Sequence, residues 1–255
     1  MKRIAFYLYR LLTPICDPLR AIRALLSYPR YISDWRRYIR FPGSESLRMA
    51  DAYPQLHDRI RASVVDGHYF YVNGWAMRQI VAQRPNNHVD IGSLTMFVNL
   101  LSAVLPVTFI EYRPLRSSII GLTSLSGDIL NLPFHDGSVE SLSCLHVIEH
   151  IGLGRYGDPL NPHGTHKACA ELMRVLAPGG NLYLAVPVGK PRVCFNAHRI
   201  HAPKTIVEYF AGLELVEFSG VHDDGQFAER VSLEEFEDSR YACGMFRFRR
   251  LNRED

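Results

Sequence analysis

The segments GDILNLPFHDGSVESLSCLHVIEH (residues 127–150) and ELMRVLAPGGNLYLAVP (residues 171–187) decide the fold of this chain. The first contains a strand-like apolar run at 139–147, and the second contains another at 181–186. Between them, 166–176 repeats apolar residues at helical spacing and ends at a Pro-Gly-Gly turn. A strand, a helix and a second strand in this order predict an α/β fold with a mostly parallel sheet.

The alternation of strand and helix patterns continues on both sides of these segments. Strands are predicted at 88–91, 107–112, 139–147, 181–186, 213–220 and 241–249. Helices are predicted at 44–60, 71–82, 94–104, 166–176 and 204–211. We therefore expect one domain over residues 45–255, with helices on both faces of the sheet and an acidic insertion near 225–239, ahead of the last strand.

Acidic residues and a glycine stand where the predicted strands end. The first strand contains Asp90 and is followed by Gly92 and Ser93, which is where a doubly wound sheet receives a nucleotide. The second strand carries Glu111. Farther along the chain, Asp128 follows Gly127. A carboxylate has two acceptor oxygens, which suit the adjacent hydroxyls of a ribose.

This order of motifs, with L-P-F-x-D-x-S at 132–138, resembles that of class I S-adenosylmethionine-dependent methyltransferases. The resemblance implies a Rossmann-like sandwich, an antiparallel last strand and S-adenosylmethionine as the cofactor. The cofactor-binding residues that it implies are Asp90, Gly92, Ser93, Glu111, Asp128, Ile129 and His146. Leu94 and Met96 replace two glycines that are usual in this family, and a side chain there can occupy the space that a ligand needs.

Two further motifs narrow the resemblance. The sequences GLGRYGD (152–158) and FNAHR (195–199) resemble those of the DUF268 family of methyltransferase-like proteins, over about residues 70–220. Members often accompany genes for surface polysaccharides. The resemblance therefore implies that the methyl acceptor is a hydroxyl of a small molecule or of a glycan precursor.

The candidate catalytic residues are His150, His198 and Arg199, which follow two of the predicted strands. A neutral imidazole at this edge of the sheet can take the proton of a hydroxyl acceptor. The alternative is that these histidines only satisfy loop hydrogen bonds. Residues 146–150 also spell H-x-x-E-H, a zinc-peptidase pattern that requires both histidines on one helical face. Because this segment follows a strand, we predict no metal site.

Residues 1–44 form a basic arm ahead of the domain. The first 40 residues hold nine Lys/Arg and two acidic residues, a net charge of +7, whereas the net charge of the whole chain is +3. Their apolar spacing predicts an amphipathic helix that Pro14 and Pro18 interrupt. Arg10 and Asp17 keep every apolar run shorter than the roughly 18 residues of a spanning helix, and no secretory signal is expected. The arm fits an anionic membrane surface, or packing against protein.

The five cysteines are odd in number and form no C-x-x-C pattern, which favours reduced thiols in a cytoplasmic protein. The leading hypothesis is a methyltransferase, cytoplasmic or peripheral on the inner face of the membrane. One alternative is a methyltransferase-like binding or scaffold protein without methyl transfer. Another is a different sugar-modifying enzyme, with or without a metal. We expect no nucleic-acid partner, and the sequence does not decide the oligomeric state.

Overall fold

The computed structural model describes residues 2–60 and 65–252. The chain divides into an N-terminal unit, Met1–Val64, and a C-terminal unit, Val65–Asp255. The division predicted from the sequence at residues 44 and 45, and the acidic insertion near 225–239, stay predictions.

The N-terminal unit contains helices α1 (Lys2–Leu12) and α2 (Pro18–Tyr38). The Asp17 side chain caps α2 by accepting a hydrogen bond from the Arg20 amide at 3.0 Å, and Pro18 occupies the first turn, where no amide donor is needed. The predicted interruption of the amphipathic segment is therefore confirmed. None of the described residues of α2 is buried.

The helix predicted at 44–60 is wrong. The described residues of that segment form only a 3-10 turn, Met49–Asp51. Pro54 lacks an amide donor, and the segment offers no apolar face that packing could stabilise, because its described residues are exposed or half-buried.

The C-terminal unit alternates helices and strands. Its helices are α3 (Gly67–Gln83), α4 (Thr95–Ser102), α5 (Gly164–Val175) and α6 (Pro203–Tyr209). Its strands are β1 (His88–Ile91), β2 (Val107–Glu111), β3 (Leu122–Ser126), β4 (Val139–Leu145), β5 (Leu176–Val188), β6 (Arg192–Cys194), β7 (His198–Ile200), β8 (Glu214–Val221), β9 (Phe227–Ala228) and β10 (Ala242–Arg249). The strand pattern differs from the prediction mainly in β3, β6, β7 and β9, which the sequence analysis does not include.

The main sheet of the described residues has the strand order β3-β2-β1-β4-β5-β10-β8-β9. Neighbours from β3 through β5 pair in parallel. The last strand, β10, lies antiparallel between β5 and β8. The predicted α/β sheet with an antiparallel last strand is therefore confirmed.

Helices cover both faces of this sheet. On one face, α3 and α4 bury Trp75, Ile80 and Phe97 against the strands. On the other face, α5 and α6 bury Leu172 and Ile206. Strand residues alternate between these two clusters, as the period of two in a β-strand requires. This packing holds the carboxyl ends of the parallel strands at one edge of the sheet, where the candidate site lies.

Candidate functional site

The ends of β1, β2 and β4 lie side by side, because β1 pairs in parallel with both neighbours. The chain leaves β1 through Gly92, whose φ of +63° lies in the left-handed region that glycine adopts without strain. A methyl group on Gly92 would lie 3.4 Å from the Val147 side chain and 3.8 Å from the Oε2 atom of Glu111. The loop after β1 therefore passes close to the carboxylate at the end of β2.

Asp90 supports this loop from inside the protein. It is fully buried, and its carboxylate accepts hydrogen bonds from the Ser93 amide at 3.0 Å and from the Ser143 hydroxyl. His88, also buried, bonds the hydroxyls of Ser141 and Ser143 at 2.8 Å each. Burial raises the pKa of Asp90 to about 6 and lowers the pKa of His88 to about 3. Asp90 is predicted to bind the cofactor, but here it orients the loop and lies behind the cavity walls.

A cavity of about 390 Å³ opens beside Gly92. We name it the acidic cavity, after Glu111, Asp128 and Asp158 in its wall. Its volume lies within the range of roughly 300–1,000 Å³ that is usual for small-molecule sites. The predicted cofactor-binding residues that line it are Gly92, Glu111, Asp128, Ile129 and His146.

Backbone amides orient the carboxylates of the acidic cavity. Asp128 accepts a hydrogen bond from the Leu130 amide at 2.9 Å, and Glu111 accepts one from the Arg113 amide at 3.4 Å. Each carboxylate has a second oxygen, which suits a ligand that presents hydroxyl or amino donors. The apolar residues Ile91, Ile110 and Ile129 in the same wall suit a flat ring.

A neighbouring cavity of about 520 Å³ is lined by His68, His146, His150 and His198, and we name it the histidine cavity. The cavities adjoin, because both are lined by Gly92, His146, His150 and Tyr156. Ser93, which is predicted to bind the cofactor, lines the histidine cavity. A ligand in the acidic cavity can therefore present one end to a second molecule in the histidine cavity.

The ring of His150 is oriented for proton transfer. Its Nδ1 atom lies 2.6 Å from the carbonyl oxygen of Ala197, which only accepts, and 3.2 Å from the Arg155 guanidinium, which only donates. Because Arg155 can instead donate to the same carbonyl oxygen at 3.1 Å and the Ala197 contact is the shorter one, we assign the proton to Nδ1. The Nε2 atom is then the acceptor, 3.8 Å from a carboxylate oxygen of Glu149. Burial lowers the pKa of His150 in spite of the nearby Glu149, and burial also lowers the pKa of His198. Because both pKa values are lowered, both imidazoles are neutral near pH 7. The rings of His150 and His198 lie 6.5 Å apart between centroids.

The side chains that replace the usual glycines lie away from the acidic cavity. Leu94 precedes α4 and lines the histidine cavity. Met96 is 59% exposed and, in the described part of the chain, belongs to the wall of neither cavity. These side chains therefore leave the space beside Gly92 open.

Arg199 has a structural position rather than the predicted catalytic one. Its guanidinium is buried and donates hydrogen bonds to the carbonyl oxygen of Ile151 at 2.6 Å, the Thr165 hydroxyl at 3.2 Å and the carbonyl oxygen of Asn161 at 3.3 Å. These bonds tie β7 to the loop 151–161, which contributes to the wall of the acidic cavity. We therefore assign Arg199 to loop support.

The H-x-x-E-H segment has no zinc-peptidase geometry. His146 has a left-handed φ of +59°, and the segment then forms a 3-10 turn, Ile148–His150, so the two histidines do not share a helical face. The Nδ1 atom of His146 instead lies 3.1 Å from Glu149, and its Nε2 atom lies 3.5 Å from the sulfur of Cys243. Burial acts to lower the pKa of His146, but Cys243 and Glu149 outweigh it and raise that pKa to about 10.

The sequence analysis missed several residues of the histidine cavity. Among these, His68 comes from α3, Glu149 from the 3-10 turn and Tyr241 from the approach to β10. Cys243 lies behind them on β10. Packing of α3 and pairing of β10 with β5 bring these residues together, and no local spacing in the sequence records those contacts.

Comparison with known families supports the resemblance. Residues 131–241 match the family described as "Caenorhabditis protein of unknown function, DUF268". The predicted DUF268 resemblance is thereby confirmed over that range. No curated protein matches the chain in sequence.

Solved structures establish the fold of the chain. The N-methyltransferase NodS from Bradyrhizobium japonicum WM9, in complex with S-adenosyl-L-homocysteine, is 17% identical with a TM-score of 0.52 over 72% of this chain and 87% of that chain. The [4+2]-cyclase SpnF is 13% identical with a TM-score of 0.53, covering 71% of this chain and 81% of that chain. YcgJ from Bacillus subtilis is 10% identical with a TM-score of 0.50, covering 72% of this chain and 99% of that chain. The chain therefore has a Rossmann-like, methyltransferase-like fold.

Proposed function

Starting from this methyltransferase-like fold, we propose that the acidic cavity binds S-adenosylmethionine and that the protein transfers its methyl group to a hydroxyl. The observation that carries the proposal is the position of Glu111 and Asp128 in one cavity wall, at the ends of adjacent strands and beside Gly92. Glu111 then accepts from both ribose hydroxyls, and Asp128 accepts from the adenine amino group. NodS, which shares this fold, was solved with the demethylated form of that cofactor.

The histidine cavity would hold the methyl acceptor. It adjoins the acidic cavity at His146 and His150, so a sulfonium methyl beside Gly92 would face it. The neutral His150, with Nε2 as its acceptor, would take the proton of the attacking hydroxyl as the carbon–oxygen bond forms and the carbon–sulfur bond breaks, which releases S-adenosylhomocysteine. Because the methyl group is already activated, positioning and exclusion of water provide much of the rate.

The acceptor that we propose is a glycan-precursor hydroxyl in surface polysaccharide synthesis. The histidine cavity combines Tyr156 and Tyr241, whose rings suit the apolar face of a sugar, with the hydrogen-bonding side chains of His198 and Arg155. The polysaccharide context comes only from the resemblance of the sequence motifs, because the family model that matches residues 131–241 describes a protein of unknown function.

Calorimetry with S-adenosylmethionine tests the cofactor assignment. We expect saturable heat for the full chain and at least tenfold weaker binding for Glu111→Gln, which loses about 1.4 kcal/mol or more of a charge-assisted contact. Glu140→Gln, an exposed acid on β4, is the matched control and leaves affinity unchanged. Absence of heat at millimolar cofactor with folded protein contradicts methyl transfer and favours the alternative of a binding or scaffold protein.

We further propose that the N-terminal unit binds an anionic membrane surface. Its helices and the turn between them expose large apolar side chains, including Leu11, Ile15 and Leu26, along a segment with net charge +7. Among residues 2–60 and 65–252, no helix is long and apolar enough to cross a membrane.

Vesicle sedimentation tests this second proposal. The double variant Leu11→Asp/Leu26→Asp is expected to lose binding to phosphatidylserine vesicles, because each change places a charge on the inserting face. Ile120→Asp, which changes an even more exposed apolar residue of the C-terminal unit, is the control. Equal sedimentation of both variants and the parent protein would remove the support for membrane binding.

A further inference from the structure

A cluster of nitrogen and sulfur donors lies at the wall of the histidine cavity, beyond the residues that the proposed methyl transfer uses. His68, His146 and Cys243 each offer one ligand atom, and these atoms all lie within 4.8 Å of one another. They come from α3, the end of β4 and β10, elements that pack at the centre of the C-terminal unit. His146 and Cys243 are buried, and His68 is half-buried.

The distances suit a tetrahedral zinc ion. With Zn–N of about 2.0–2.1 Å and Zn–S of about 2.3 Å, a tetrahedral site separates nitrogen and sulfur ligands by about 3.6 Å. The Nε2 atom of His146 already lies 3.5 Å from the sulfur of Cys243. The ring of His68 stacks on that of His146 at 5.7 Å between centroids, and its ligand atom lies within 4.8 Å of those of His146 and Cys243.

Glu149 is placed to accept a hydrogen bond from the ring of His146, as the partner of a zinc-bound histidine commonly does. Its Oε1 atom lies 3.1 Å from the Nδ1 atom of His146, which fixes Nδ1 as the donor and leaves Nε2 for a metal. Its Oε2 atom is buried and has no hydrogen-bond partner among the described residues. In the metal-free protein His146, whose pKa is raised to about 10, supplies a positive charge to this buried carboxylate, and that charge has to be replaced when Nε2 binds a metal.

A divalent ion supplies that charge. A metal-bound Cys243 thiolate and the Glu149 carboxylate carry two negative charges, which one divalent ion neutralises. A thiolate with two imidazoles is a donor set that zinc prefers, whereas magnesium and calcium prefer oxygen ligands.

We propose that His68, His146 and Cys243 bind a zinc ion whose fourth coordination position faces the histidine cavity. Three protein ligands with one open position are typical of a catalytic rather than a structural zinc site. No metal site is predicted from the sequence, because H-x-x-E-H follows a strand and the cysteines form no C-x-x-C pattern. Here one histidine of H-x-x-E-H is a ligand, the glutamate supports it, and the remaining ligands come from distant segments.

The consequence for chemistry rests on the proposed function. If the histidine cavity holds a hydroxyl acceptor, its oxygen takes the open position and the zinc ion makes that hydroxyl more acidic. The proton would then pass to His150, the oxygen would bond to the methyl carbon, and the carbon–sulfur bond of S-adenosylmethionine would break to release S-adenosylhomocysteine. Zinc binding itself requires neither cofactor nor acceptor.

The test measures metal binding to the full chain without S-adenosylmethionine. Elemental analysis is expected to give one zinc per chain after loading and desalting, and Co²⁺ substitution is expected to give the thiolate-to-cobalt absorption of a tetrahedral site. Cys243→Ser abolishes that absorption, whereas Cys194→Ser, the matched control on β6, keeps it. Glu149→Gln lowers zinc affinity by roughly 10–100-fold, as second-shell changes do.

Because Cys243 is buried, His68→Gln provides a second variant whose fold is easier to preserve. It is expected to weaken Zn²⁺ binding by at least tenfold in competition with a chelator, with an unchanged circular dichroism spectrum. Folded parent protein that retains no zinc, or a cobalt spectrum that survives both Cys243→Ser and His68→Gln, overturns the inference. Calorimetry with the cofactor is independent of these readings, so either proposal can fail alone.

Discussion

Replacing Arg199 by methionine separates loop support from catalysis. The change removes the hydrogen bonds to Ile151, Asn161 and Thr165, at 2.6, 3.3 and 3.2 Å, and keeps most of the aliphatic stem. Asn161 still accepts from the Gly164 amide at 3.0 Å, so the carbonyl of Ile151 loses the most.

The expected destabilisation is about 3 kcal/mol. A hydrogen bond to a charged group contributes about 1.5–3 kcal/mol, and the two longer bonds contribute less. Removing the guanidinium also removes the desolvation cost of its buried charge, which offsets part of the loss. Burial lowers the pKa of Arg199, which is consistent with that desolvation cost. For a unit of this size the melting temperature falls by roughly 6–12 °C. Arg199→Lys restores about half, because it keeps one charged donor for Ile151.

Urea unfolding followed by fluorescence measures the effect. Trp75 is buried in the C-terminal unit and Trp35 belongs to the N-terminal one, so a Trp35→Phe background isolates the relevant signal. Arg116→Met, at an exposed site, is the control and changes stability by less than about 0.5 kcal/mol. A loss below about 1 kcal/mol for Arg199→Met would refute the structural assignment.

Further predictions concern the loop after β1. Gly92→Ala forces a left-handed conformation on alanine, so it costs about 1–2 kcal/mol in urea unfolding and weakens cofactor binding in calorimetry; an unchanged stability contradicts the φ of +63°. Leu94→Ala changes cofactor affinity by less than about threefold, since this side chain lines the histidine cavity; a larger gain would show that it obstructs the cofactor. Burial raises the pKa of Asp90 from 3.8 to about 6, so its contribution to stability is complete below 3.8 and is lost as pH rises through 6. Relative to Asp90→Asn, the parent should therefore lose about 2.5 kcal/mol between pH 4 and pH 7, and a pH-independent difference contradicts this.

The parallel strands could be predicted from the sequence because buried strands are short apolar runs bounded by turn residues. β1 has the predicted bounds, and β2 ends one residue earlier than predicted. β3 could not be predicted in the same way. It is an edge strand that contains Ser and Thr and is largely exposed on one side, so its pattern resembles that of a loop.

The residues of the candidate site also differ in whether they can be predicted from the sequence. Gly92 and Glu111 are predictable because each follows or ends a predicted strand, and parallel strands bring such positions to one edge, whereas Asp128 is predicted only from the resemblance of its loop. His68 and Cys243 are not predictable, because packing of α3 and pairing of β10 bring them to His146 from distant segments. The role of Arg199 also depends on tertiary contacts, with a loop far from it in sequence.

A crystal structure of the full chain with S-adenosyl-L-homocysteine tests the central claim most directly. The account predicts adenosine density in the acidic cavity, with both ribose hydroxyls within hydrogen-bond distance of Glu111 and the adenine amino group at Asp128. The sulfur should face the histidine cavity near His150. An empty acidic cavity at saturating ligand, or a ligand bound elsewhere, would contradict the account.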